Sequence, residues 1–522
     1  MLLAIFLLCL GACAPKRERA DLVFIQSAEP ETLDPALTTD QVSMRISTSL
    51  FEGLCRVTQA GKPEPGMAER WEISEDRKTY TFHLRSGTFW TDGRAVVAQD
   101  FVDSWKRALD PETGADYASL LHVIRGARAF TEGTEKDFAK VGVKALDEKT
   151  LQVELENPTP YFVDLSSFVT LAPVQMTTIQ KHGTSWIKPA NIVTNGAYVL
   201  EEWLLDDHIR LRKNPQYWDA ANVKMETITI KPVQDANTAL SYFHTGQCDL
   251  MMDKGMVPPT LTQTLKEKPW FHTGPFLGTW FIRINVTRPP FNDARVRQAF
   301  ALAVDKKRIV EKITQLGETP AWGITPPGTG QDYQSPPGLD HNIEEARRLL
   351  AEAGFPGGKG FPRVEYLYIP LPIERNIAIE FQAMWQEALG VTVNLIKQEQ
   401  KVWLKSMREL DYHLCRSSWV GDYNDPSTFM DLFTTDNGNN RTGWSNQEYD
   451  DFIKAAASEP DVQKRNLVFQ KAERVLIHDQ AAVIPVYYYV GVQFYHAEKL
   501  QGVQGNLIDD HPFRCMSWKE SE

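Results

Sequence analysis

The feature that most constrains this chain is the alternation of two hydrophobic periods through its second half. Phe281 to Asn285 reads as a strand. Asp293 to Val304 then sets Val296, Ala299, Phe300 and Ala303 on one face, the spacing of an amphipathic helix. Asn342, with Glu345 three residues on, is a capping pattern for a helix that Gly354 ends. A strand at Val364 to Ile369, a helix from Glu374 to Leu389, a stop at Gly390 and a strand at Val391 to Ile396 repeat the unit. Strands separated by helices are not joined by hairpins, so this order predicts an α/β fold with some parallel pairing. Between the units, the Pro- and Gly-rich stretch from Thr319 to Gly338 reads as surface loop, with a hinge or a lid as the other reading.

The first half gives shorter signals. Asp21 to Ile25 is a candidate strand. Thr79 to Arg85 alternates cleanly, with Tyr80, Phe82 and Leu84 inward, and Leu151, Val153 and Leu155 alternate with polar residues. A helix is expected from about Ala98 to Ala108. Asn195-Gly196 marks a turn before strands at Tyr198 to Leu205 and Thr227 to Ile230. The run Val483 to Val490 is apolar enough for a buried strand. With 522 residues the chain has room for about two to four domains. Its net charge of −12 and the lack of a basic stripe argue against nucleic acid as a partner.

The N-terminus is more specific. Met1 to Leu10 is almost wholly apolar and too short to span a bilayer, which is the pattern of a secretory signal. Leu10-Gly11-Ala12-Cys13 looks like a bacterial lipobox, which implies a mature chain lipidated at Cys13, although no Lys or Arg precedes the apolar run. Cys55, Cys248, Cys415 and Cys515 lie far apart without paired metal spacing, and their three possible disulfide pairings stay open. There is no His-Glu-x-x-His, no Gly-x-Ser-x-Gly and no phosphate loop, which lowers the enzyme class.

One stretch concentrates chemistry. Asp411 to Trp419 reads as a strand, Gly421 breaks it, and Asp425-Pro426 reopens the chain as a helix, with Asp425 as N-cap and Pro426 in the first turn. The loop between carries Trp419, Asp422 and Tyr423, with Arg416 just before it. An arginine, an isolated carboxylate and two large aromatics suit a ligand with two charged ends and an apolar middle. Taken alone, the stretch reads equally as a turn cap, an ion pair and a core tryptophan.

Taken together, these segments resemble the family 5 extracellular solute-binding proteins of ABC importers, oligopeptide-binding members above all. The resemblance rests on an ordered series: Leu33-Asp34-Pro35, Leu50-Phe51-Glu52-Gly53-Leu54, Thr79 to Arg85, Phe89-Trp90-Thr91-Asp92-Gly93 and Ala98 to Trp105. It continues through Asn195-Gly196-Ala197-Tyr198, Asn214 to Trp218, Pro289 to Asp293 and Pro485 to Tyr489. The implied fold is α/β, with two lobes joined by a hinge and an extra domain inserted in the N-terminal lobe. The implied division is residues 1–12 as signal peptide and 13–20 as tether. Residues 21–51, 185–277 and 490–522 would form lobe I, 52–184 the inserted domain and 278–489 the other lobe.

The implied function is capture of short peptides in the cell envelope, by a lipid-anchored monomer that delivers them to an ABC permease. It implies no cofactor, no metal and no catalysis. By the same resemblance Asp422 would hold the peptide ammonium and Arg416 the carboxylate of a short peptide, and Tyr117 would border the cleft. Trp419, Tyr488, Phe281 and Gln400 fall in wall segments. Five positions depart from the enteric pattern: Gln400 replaces a tryptophan, Phe281 a tyrosine, Met252-Asp253 a Tyr-Asn pair and Glu374 a histidine. An ionised Glu374 would repel the carboxylate of a longer peptide, so a preference for roughly two to five residues is expected. Other readings are a receptor for murein peptides, dipeptides or a non-peptide solute, an envelope peptidase using Asp422 as base, and a chaperone or adhesin.

Overall fold

The computed structural model describes residues 19–330, 333–435 and 437–520. The apolar leader and Cys13 lie outside the described residues. Among the described residues no helix is long and apolar enough to cross a membrane.

Eleven strands form one sheet. Along the sheet they run Val393–Lys397, Val364–Tyr368, Leu414–Val420, Phe271–Ile284 and Val483–Phe494, then Leu250–Met251, Leu22–Gln26, Thr227–Pro232, His208–Lys213 and Tyr198–Leu204; Thr319–Pro320 pairs aside with Val483–Phe494. The expected parallel pairing is present on both sides of the centre. Val364–Tyr368 lies parallel to Val393–Lys397, and Leu22–Gln26 lies parallel to Thr227–Pro232. The helices between them end where the sequence says. Asn342 accepts the Glu345 N–H and starts Ile343–Glu352, and Gly390, at φ 69°, stops Pro372–Leu389 in the left-handed region that only glycine enters freely. Trp280, Phe300, Phe381 and Trp385 pack between these helices and the sheet and are fully buried, each contributing about 1.5–3 kcal/mol of apolar burial.

The centre of the sheet consists of two long antiparallel strands, Phe271–Ile284 and Val483–Phe494. At one end Phe494 pairs with Met251; at the other Gly278 to Ile284 pair with Leu414–Val420. The pairing register shifts between Pro275 and Thr279, where the sheet changes partners. Pro275 has no N–H to donate, and a Cβ on Gly278 would stand 2.8 Å from the Tyr489 ring, so the sequence itself loosens the ladder there. Among the described residues, these two strands are the ones that run from one half into the other. The divisions expected after residues 277 and 489 fall inside them.

A smaller antiparallel sheet, ordered Ala68–Ile73, Thr79–Leu84, Thr150–Glu154 and Val143–Ala145, forms within the first half. Tyr80, Phe82 and Leu84 point inward as the alternation predicts. Helix Ala98–Leu109 covers this sheet with Phe101 and Trp105, and the Asp100 carboxylate accepts both the Val97 N–H and the Trp90 indole N–H.

Two expectations need correction. The stretch Thr319 to Gly338 is not plain surface loop: Ala321, Ile324 and Tyr333 are buried. The Glu473 carboxylate accepts the Ile324 and Thr325 N–H groups and the Tyr333 hydroxyl, a set of bonds that satisfies an otherwise costly buried charge. The strand read as Phe281 to Asn285 begins ten residues earlier, at Phe271. All four cysteines in the described residues are free.

Candidate functional site

Strand Leu414–Val420 ends at Gly421, whose N–H donates to the Leu277 carbonyl at 2.8 Å and ties the following loop to the crossing strand. The helix after the loop is Ser427–Met430, one residue later than Pro426 suggests. Pro426, not Asp425, stands at its N-cap, and Asp425 one residue earlier accepts the Ser427 N–H at 3.0 Å and hydroxyl at 2.7 Å. Its larger commitment is nonlocal. Arg465, from helix Val462–Arg474, meets both Asp425 oxygens at 2.6 and 2.8 Å in a buried fork.

Asp422 differs. Its N–H donates to the Thr428 hydroxyl at 3.1 Å, which fixes the backbone. The Tyr117 hydroxyl, carried by the short helix Asp116–Val123 near the smaller sheet, stands near the Asp422 carboxylate and favours the ionised form. Among the described residues no cation stands beside it. Burial pushes the Asp422 carboxyl up to about 6, and the Tyr117 hydrogen bond pulls the other way without cancelling that. Tyr423 stacks on Tyr161, with ring centres 4.3 Å apart and planes 8° from parallel, so the loop is clasped from the opposite side as well.

Tyr117, Leu165, Asp422 and Tyr423 form the wall between two cavities. One, of about 390 Å³, lies among Met44, Arg45, Phe168, Phe276 and Val420. The other, of about 570 Å³, lies among Tyr161, Trp419, Asp431, Asn437 and Arg465. Two more wall carboxyls are perturbed. Burial, then the charge of Asp425, pushes Asp164 and Asp431 each up to about 7, and Arg465 opposes this at Asp431. Of the arginines on these walls, Arg465 is paired with Asp425, and Arg45 donates to the Met252 carbonyl at 3.4 Å. An arrangement of this kind can accommodate an ammonium or guanidinium group.

Of the residues named from sequence, Asp422, Tyr117 and Trp419 meet at these cavities. The Trp419 indole N–H is buried without an acceptor. Phe281, Tyr488 and Gln400 line neither cavity. Phe281 has no polar atom to keep in water and is fully buried against Phe433, ring centres 6.0 Å apart. The Tyr488 hydroxyl is spent on Gly323, donating to its carbonyl and accepting its N–H at 3.1 Å. Gln400 is an exposed first residue of helix Gln400–Arg408.

Arg416 is also differently placed from what its expected role requires. Its Nε donates to Glu374 at 2.8 Å, and the same carboxylate oxygen accepts the Trp280 indole N–H at 3.2 Å. The pair is internal, with the Glu374 side chain only 4% exposed. Glu374 thus neutralises Arg416 instead of merely repelling a ligand. The other Glu374 oxygen is buried without a donor.

Sequence reasoning missed Tyr161, Asp164, Asp431 and Arg465, which come from distant segments. Asp431 carried a local signal, a single carboxylate inside the apolar run Phe429-Met430-Asp431-Leu432-Phe433.

Comparison with known proteins agrees with this architecture. The family model of bacterial extracellular solute-binding proteins, family 5, matches residues 62–441. The periplasmic oligopeptide-binding protein OppA of Escherichia coli K12 is 36% identical over 91% of this chain and 88% of its own length. The probable deoxycholate-binding periplasmic protein YgiS of the same organism is 37% identical over 88% of this chain and 86% of its own. The solved structure of the Escherichia coli murein tripeptide-binding protein MppA superposes with a TM-score of 0.80, at 33% identity, covering 97% of this chain and 99% of that one. With the two-lobed sheet, the crossing strands and the family match in agreement, the chain belongs to the bacterial extracellular solute-binding proteins of family 5.

Proposed function

We propose that this protein is a peptide receptor of an ABC importer and not an enzyme: it holds the ammonium of a short peptide on Asp422 and passes the peptide to a membrane permease. One observation carries the reading, the Asp422 carboxylate at the wall of two cavities with a tyrosine hydroxyl as neighbour and, among the described residues, no cation beside it. A carboxylate withdrawn from water in this way gains most from a charged donor. The strand beside it supports the reading. Leu414–Val420 pairs with Val364–Tyr368 only at Leu414 and Cys415, so its outer edge from Arg416 onward is open to an extended peptide backbone. OppA and MppA, by their names, bind peptides. YgiS, by its name, binds deoxycholate, an anion without an ammonium group, which Asp422 would repel.

Mass spectrometry of small molecules released when the purified protein is denatured tests this reading. Intact short peptides are expected. An anionic solute without an amino group would refute the peptide reading, and pairs of cleavage products would point to a peptidase.

The same proposal places the protein in the cell envelope, held to a membrane by a lipid on Cys13, on the strength of Leu10-Gly11-Ala12-Cys13. Cys13→Ala is expected to abolish fatty-acid labelling and release the exported protein from the membrane fraction. Equal labelling of the variant and the native protein would remove the anchor from this account.

A further inference from the structure

The cavity of about 570 Å³ on the far side of Asp422 has an unusual charge balance. Its basic residues are already committed or neutral. Arg465 gives both terminal nitrogens to Asp425 and its Nε to the Ala456 carbonyl at 3.2 Å. Arg128 is exposed at the rim, 4.0 Å from Glu132, and burial holds the His122 imidazole below its usual range, which favours its neutral form. Of the acids, Glu156 accepts the Gly126 N–H at 2.8 Å at the exposed edge, and Asp116 lies on the short helix that carries Tyr117.

Asp116 is exposed to solvent, which leaves Asp431 as the more enclosed acid beyond Asp422. The Asp431 backbone carbonyl is tied down by the Asn437 amide at 2.8 Å and the Thr434 hydroxyl at 3.0 Å, yet among the described residues no donor reaches its carboxylate. Two other atoms on this wall, Trp419 Nε1 and His122 Nε2, are buried without hydrogen-bond partners. Unpaired polar groups of both kinds around one cavity are the mark of a space built for an occupant. The walls also include Trp419, Tyr161 and Tyr423, flat apolar surfaces suited to an aliphatic stem carrying a charge.

We propose that this cavity is the side-chain subsite for the first residue of the bound peptide, and that it selects lysine or arginine, whose charged end meets the Asp431 carboxylate. The inference rests on the reading of Asp422 as the ammonium anchor: both residues line one cavity, which puts that cavity within reach of the first side chain of a peptide held at Asp422. The cavity is large enough for water to fill the space around a shorter side chain, which makes the selection a preference and not an exclusion.

Calorimetry with Lys-Ala-Ala, norleucine-Ala-Ala, Ala-Ala-Ala and Ala-Ala-Lys tests this. Norleucine has the lysine stem without the charge. Native protein is expected to bind Lys-Ala-Ala at least about tenfold, or 1.4 kcal/mol, more tightly than the norleucine peptide, and Ala-Ala-Lys no better than Ala-Ala-Ala. Asp431→Asn should erase the lysine preference, so that the variant binds Lys-Ala-Ala no more tightly than the norleucine peptide, while Asp431→Glu should keep a preference. Equal binding of the lysine and norleucine peptides by native protein overturns the subsite, as does a lysine preference that survives in Asp431→Asn. If no peptide binds native protein at all, the failure lies with the Asp422 reading, and the subsite falls with it.

Discussion

Asp422→Asn is expected to weaken the binding of free short peptides by at least about tenfold, the equivalent of 1.4 kcal/mol. A peptide ammonium entering the cleft gives up water and needs a charged acceptor in exchange. A charge-assisted hydrogen bond contributes about 1.5–3 kcal/mol, and removing one member of a buried pair costs about 3–5 kcal/mol because the other charge is stranded. Asparagine keeps the shape and the Tyr117 contact while removing the charge. N-acetylated peptides have no ammonium, so native protein should bind them poorly and the variant should lose little more. The pH dependence follows from the same groups. Asp422 in the empty cleft titrates at about 6, and a peptide amino group at about 7.7–8.0. Affinity should therefore be highest between these values. It should fall below pH 6, where Asp422 takes up a proton that the ligand must displace, and again above pH 8, where the ligand loses its charge. Asp164 and Asp431 titrate near 7 on the same walls, so the limb belonging to Asp422 is the part that disappears in Asp422→Asn. Equal binding of acetylated and free peptides by native protein would show that Asp422 does not hold the ammonium.

The sequence was readable where structure is local. The Thr79–Leu84 strand, the Asn342 cap and the Gly390 stop each follow from a few neighbouring residues. The Phe271–Ile284 strand was half visible because Gly274, Pro275 and Gly278 look like a break, and in the structure they are one: the ladder loosens there but the chain stays extended. The buried stretch from Thr319 was misread because what holds it, Glu473, is over a hundred residues away. The site divides in the same way. Asp422, Tyr117 and Trp419 were legible through family motifs, and the structure brings all three to one cavity. The Arg465–Asp425 fork and the unpartnered Asp431 carboxylate are products of tertiary folding, with no periodicity to announce them. Glu374 and Arg416 were both singled out, but their relation was not. Forty-two residues separate them, and only the packing of helix Pro372–Leu389 against strand Leu414–Val420 turns two ligand-facing charges into a pair.

That pair gives the second large effect. Glu374→Gln is expected to destabilise the empty protein by about 3 kcal/mol, because Arg416 keeps its charge and loses the group that balanced it. Glutamine still offers a carbonyl to the Arg416 Nε and the Trp280 indole, which holds the loss near the lower end of the usual range. The same substitution should create a carboxylate-binding site. In native protein Arg416 is already neutralised, so amidating the C-terminus of a di- or tripeptide should change affinity little. In Glu374→Gln the ligand carboxylate replaces the missing one, and amidation should cost at least about tenfold, or 1.4 kcal/mol. Thermal melting should show the two halves together: a lower midpoint without ligand, and a larger upward shift with a free-acid peptide than in native protein. If amidation costs native protein the full tenfold, the ion pair opens on binding and Glu374 does not shield Arg416. If it costs neither protein anything, Arg416 makes no contact with the ligand, and its strength is spent wholly on holding Glu374 and the helix that carries it.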